Sequence, residues 1–215
     1  MYKALLWKEY REMCLSLALT ALGCTVLFLA IVIKGILRYS YYESLGRPAP
    51  DGLAGLFNLI IILLLIIYPI ITGSESFASE YQTRTYDFLI SRAVSLDVLW
   101  YCKLASRIST LLFPIVSFIL INRYLHTEEA APKYQYIFSA SVLLLFSTCF
   151  FFSTILNSPV KAGITGLIVY FGFTMLFFHF SKNYITFAIS SIFLSILILG
   201  ASFVIFTKSR FSYVV

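Results

Sequence analysis

Four carboxylates, Glu75, Glu80, Asp87 and Asp97, lie close together in a chain otherwise poor in reactive side chains. Converging carboxylates can ligate a metal or divide general acid and base work between them. Here Arg84, Arg92 and Lys103 are interspersed with them, and their spacing repeats no metal-ligand pattern. The two histidines, His126 and His179, have no carboxylate or cysteine at ligand spacing. Cys14, Cys24, Cys102 and Cys149 form no C-x-x-C pair and read as small packing residues. G-x-x-x-x-G-K-[ST], G-x-S-x-G and H-E-x-x-H are absent, so the usual loop for a nucleotide phosphate, the nucleophile elbow and the zinc helix are all missing. The expectation is a chain with no catalytic residue, no metal and no cofactor, which is not itself an enzyme.

The elements that would position any such residues are apolar helices. Of 215 residues, 60% are hydrophobic and 12% charged, about half the charged fraction of a soluble domain. Uncharged runs at 13–33, 52–74, 134–160 and 183–207 each reach the ~20 residues needed to cross a bilayer. The run at 162–178 nearly does, and 108–122 does once its start is extended to Trp100, with Lys103 and Arg107 snorkelling to the interface. These runs are apolar on every side, unlike the alternating strands of a membrane barrel. The expected fold is all-α and integral to the membrane, with six spans. The first run has no small-residue cleavage site and follows an amphipathic segment, so it is expected to be a span and not a signal peptide.

The net charge of +6 does not point to nucleic acid, because the basic residues are spread along the chain and mostly flank the spans. An even span count puts both ends on one side. Ten of the 16 Lys and Arg residues fall on that side, which places both termini in the cytosol by the positive-inside bias. The spans hold almost no ionisable groups, whereas ion-coupled transporters keep one near the midplane. Anything moved through them would draw its energy from outside the membrane. No region is long enough for a separate soluble domain, so residues 1–215 read as one.

Residues 1–13 read as an interfacial elbow helix. At about 100° per residue, Tyr2, Leu6, Tyr10 and Met13 share one face and Lys8, Arg11 and Glu12 the other. The 75–100 segment reads as a cytosolic projection between spans two and three. Thr83 or Thr85 can cap a short helix with Asp87 in its first turn, carrying Tyr86, Phe88, Leu89 and Ile90. Ser95 can cap the next helix, with Asp97 in its first turn. Periodicity leaves two readings open: a knob that fills a groove on a partner, or a connector lying flat on the bilayer. Glu75 and Glu80 either pair with basic residues of a partner or of the elbow helix, or form a solvated helix end. Pro69 and Pro114 are candidate hinges, although membrane helices tolerate proline without them. Gly163, Gly166 and Gly172 permit close helix packing, but not at G-x-x-x-G spacing.

The 73–103 stretch resembles the signature of permease subunits of ABC exporters of the type-2 class. That family shows F-A-x-E, then T-x-E-x-L-L, then P-V-S-R and a later lysine. Phe77, Ala78 and Glu80 match the start. Thr85, Asp87 and the Phe88–Leu89–Ile90 run stand for the middle, and Val94, Ser95 and Lys103 match the end. Arg84, Ala93 and Leu96 depart from the usual glycine, proline and arginine. The motif covers only this stretch, while the architecture resembles the family over the whole chain. The resemblance implies that Thr85, Tyr86, Asp87, Phe88, Leu89 and Ser91 lie on a coupling helix that docks into a separate ATPase subunit. It further implies a pathway formed with a second permease chain, as a homodimer or with a sister subunit, in the plasma membrane and surrounded by lipid. Two other readings remain: an integral-membrane lipid-modifying enzyme, and a non-transporting sensor or immunity subunit that uses the same knob.

Overall fold

The computed structural model describes residues 7–11, 14, 18, 52–83, 95–125, 131–180 and 183–209. The expected first span, most of the elbow helix and the whole coupling helix, with Thr85, Tyr86, Asp87, Phe88, Leu89 and Ser91, lie outside the described residues. Residues 7–11 are helical. Among the described residues five long helices follow: α1 (Gly52–Thr83), α2 (Leu96–Leu125), α3 (Ala131–Ile155), α4 (Pro159–Phe180) and α5 (Tyr184–Ser209). Among the described residues there is no strand.

Helix ends follow local chemistry. The carbonyl of Ser95 accepts from Leu99 N–H at 3.1 Å, and Asp97 sits in the first turn of α2, where a carboxylate favours the dipole. Ser158 and Pro159 start α4, with the Ser158 carbonyl accepting from Ala162 N–H. Proline suits this first position because its missing N–H would have no helical partner there. Asn183 opens α5, accepting from Phe187 N–H and the Thr186 hydroxyl. α1 does not stop where its sequence turns polar after Gly73. It runs on to Thr83, and the hydroxyls of Ser76, Ser79 and Thr83 each donate to the carbonyl four residues back. Those bonds occupy side chains that would otherwise compete with the helix backbone.

Among the described residues, three segments are long and apolar enough to cross a membrane: Gln135–Ile155, Pro159–Phe177 and Tyr184–Lys208. Their 21, 19 and 25 residues give lengths of about 28 to 38 Å at about 1.5 Å per residue. The expected second and third spans fall inside α1 and α2. α3 is the central helix, packed on α5, α1 and α4. Inside the bundle, 61% of its apolar window is buried, against 17% for α4 and 22% for α5. The outer faces of those two helices carry Ile164, Ile168, Met175, Ile189, Phe193 and Ile196, all exposed, as a hydrocarbon surround requires.

Three helices meet at almost bare backbone. A Cβ added to Gly73 of α1 would lie 2.9 Å from Cys149 Cβ and from the Phe146 carbonyl. One added to Gly166 of α4 would lie 2.7 Å from Cys149 Sγ and 2.8 Å from its Cα. Cys149 therefore sits between two glycines as a packing residue, and its thiol reaches the Gly163 carbonyl at 3.9 Å. Gly163 is also close-packed, against Ile70, while Gly172 faces open space.

Candidate functional site

Next to this contact the core turns aromatic. Phe77, fully buried, lies tilted against Phe206 at 4.5 Å and meets Phe150 edge-on at 5.5 Å. Trp100 packs edge-on against Phe150 and Phe203. Its indole N–H donates to the Ser202 hydroxyl at 3.2 Å, which satisfies the one polar atom of a buried ring. The Lys103 ammonium stands 5.4 Å above the Phe77 ring, within cation–π range.

That ammonium is the centre of a buried charge cluster. Lys103 Nζ lies 3.0 Å from Glu9 Oε1 and 3.0 Å from Glu80 Oε1. Its three donor directions thus meet two carboxylates and an aromatic face. The side chains of Lys103 and Glu9 are 0% exposed, among residue types almost never fully buried unless paired. Lys8 reaches Glu80 Oε1 at 3.3 Å from the rim. Arg107, one turn along α2 from Lys103, brings Nη2 to 4.0 Å from Glu9 Oε2. The Tyr10 and Ser109 hydroxyls bond at 2.7 Å beside it. The cluster therefore joins residues 7–11 to the last turns of α1 and the first turns of α2, the two helices that flank 84–94.

The charges do not match bond for bond. Glu9 Oε2, Glu80 Oε2 and Arg107 Nε are buried without a hydrogen bond among the described residues. A half-satisfied polar network in a low-dielectric interior is energetically exposed. Removing one partner strands the rest, at a cost of about 3–5 kcal/mol, whereas an intact buried pair gives little over apolar packing.

Among the family models, curated proteins and solved structures compared with this chain, none matches it.

The sequence-derived candidates fall in different places. Glu80 is drawn into the cluster and pairs with Lys8 of the N-terminal segment, while Glu75, five residues earlier on α1, is exposed. Pro69 and Pro114 lie inside α1 and α2. Both helices continue through them, and the Thr72 hydroxyl donates to the Tyr68 carbonyl at 2.8 Å beside the first. Lys103 and Arg107 do not snorkel outward. They turn inward because two carboxylates are there to meet them. Glu9 was not singled out, though one signal pointed to it: at about 100° per residue it falls on the apolar side of its segment, beside Tyr2 and Met13. Among the described residues no three His, Cys, Asp or Glu side chains converge as a metal site would require.

Proposed function

We propose that this chain is the membrane-spanning permease subunit of an ATP-driven exporter of the type-2 ABC class. In this reading it crosses the plasma membrane six times with both termini in the cytosol. It forms the pathway with a second permease chain, and a separate ATPase subunit engages the coupling helix at residues 85–91. The observation that carries the reading is the tie at the foot of α1 and α2. Lys103 bridges Glu80 of one helix and Glu9 of the N-terminal segment, so a push delivered to 84–94 reaches both flanking helices together. The scarcity of charge in the apolar helices supports it further, since the work then has to come from a partner.

Affinity purification in mild detergent tests the reading. The expected result is a co-purifying ATPase that is lost with Phe88→Ala combined with Leu89→Ala, while the chain still inserts. Truncating a central apolar anchor typically costs ~2–4 kcal/mol of association. Purification of the chain with no ATPase, or of one indifferent to the double variant, favours instead the lipid-modifying enzyme or the sensor and immunity readings.

A further inference from the structure

The cluster contains a mismatch. Two carboxylates share one ammonium at 3.0 Å each, while a guanidinium stands 4.0 Å from the second oxygen of Glu9. The two atoms left without hydrogen bonds on that side, Glu9 Oε2 and Arg107 Nε, carry opposite charges. A carboxylate and a guanidinium prefer two parallel bonds at about 2.7–2.9 Å, and this pair makes neither. Lys103 and Arg107 are four residues apart on α2, hence on one face and about 6 Å apart along the axis.

We infer that the N-terminal segment has two seats on α2, and that Glu9 exchanges Lys103 for Arg107 in sliding between them by up to one helical turn. The structure holds the first seat. In the second, Glu9 and Arg107 form the forked pair, and Glu80 keeps Lys103 to itself, so each carboxylate has its own cation. Glu80 already holds Lys103 at 3.0 Å and Lys8 at 3.3 Å, so the ammonium is not stranded when Glu9 leaves. Of the contacts that fix the first seat, Tyr10 with Ser109 is exposed, and an exposed hydroxyl pair is easily traded for water. Buried ion networks near energetic balance suit such exchanges, and one-turn shifts of one element past another are a known form of bistability. The inference does not depend on the exporter reading.

Thiol cross-linking in native membranes tests it, with Cys14, Cys24, Cys102 and Cys149 replaced by alanine. Tyr10→Cys is paired in turn with Ser109→Cys, Phe113→Cys and Ala105→Cys. A short bifunctional maleimide takes the place of the tyrosine side chain. Position 113 lies one turn on from 109, the same step along α2 as from Lys103 to Arg107; position 105 lies one turn back and controls for simple looseness. The expected result is linkage at 109 and at 113, with 113 well above 105. Arg107→Gln should lower the 113-to-109 ratio about tenfold, as expected from losing one close charge pair. That variant leaves the 3.0 Å contacts of Lys103 in place, and linkage at 109 in the same variant checks that the segment is still seated on α2. Equal yields at 113 and 105, a 113 yield indifferent to Arg107→Gln, or no linkage at 109 overturns the inference.

Discussion

Gly73 and Glu80 lie on one face of α1, seven residues and about 10 Å apart, yet the two levels of the bundle they mark are held in opposite ways. At Gly73 and Gly166, backbone meets backbone around Cys149 with no room for a methyl group. At Glu80, five side chains from three segments meet through charge, with polar atoms left over. A contact made by shape has one arrangement, because interiors are close-packed and do not deform continuously. A contact made by charge has several, since each carboxylate can choose among cations. The first level is a fixed joint and the second an adjustable one, and the adjustable one borders the segment where the partner is proposed to act.

The contrast can be broken at its strongest point first. Lys103→Met should lower stability by about 3–5 kcal/mol, because it strands two buried carboxylates. Denaturant titration in detergent micelles measures this. Adding Glu9→Gln and Glu80→Gln should restore most of the loss; if the triple variant stays as unstable as the single one, packing and not stranded charge was responsible. A middle-sized effect sharpens the other level. Gly166→Ala should cost about 1–3 kcal/mol through overpacking, whereas Gly172→Ala, with nothing within 4 Å, should be neutral or stabilise the helix by up to ~1 kcal/mol. Equal effects at the two glycines would remove the distinction between joint and free face. The smallest expected change is Glu75→Gln, within about 0.5 kcal/mol as for other exposed positions. A large loss there would mean that the charged level extends a turn further along α1 than the cluster.

Much of this architecture was legible where its cause is local. Ser95 and Asp97 announce the start of α2, and the uncharged runs mark the apolar helices, although the run at 134–160 passes through Pro159, where α4 begins. Gly163 and Gly166 were readable as packing positions, while Gly172 looks the same in sequence and does nothing comparable. Gly73 was harder, because the polar residues after it suggest a helix running out. The hydroxyls that carry α1 on to Thr83 bond within the helix, and a polar count cannot register that. The charge cluster was least legible. Its bonds join residues 72 and 94 positions apart, and one sequence holds no signal for which cation meets which carboxylate. Only Glu9 on the wrong side of its wheel, and two cations one turn apart in an apolar stretch, hinted that something charged was buried.

The crossing at Cys149 also sets how this sequence can drift. An added methyl at Gly73 meets the Phe146 carbonyl and Phe150 nitrogen, and one at Gly166 meets the Cα and nitrogen of Cys149. These are main-chain atoms, so no exchange of side chains nearby can make space for it. Position 149 itself is under a looser rule, since alanine or serine would leave every one of those main-chain atoms where it is. Among divergent descendants of this chain, the two glycines should persist while the cysteine between them comes and goes.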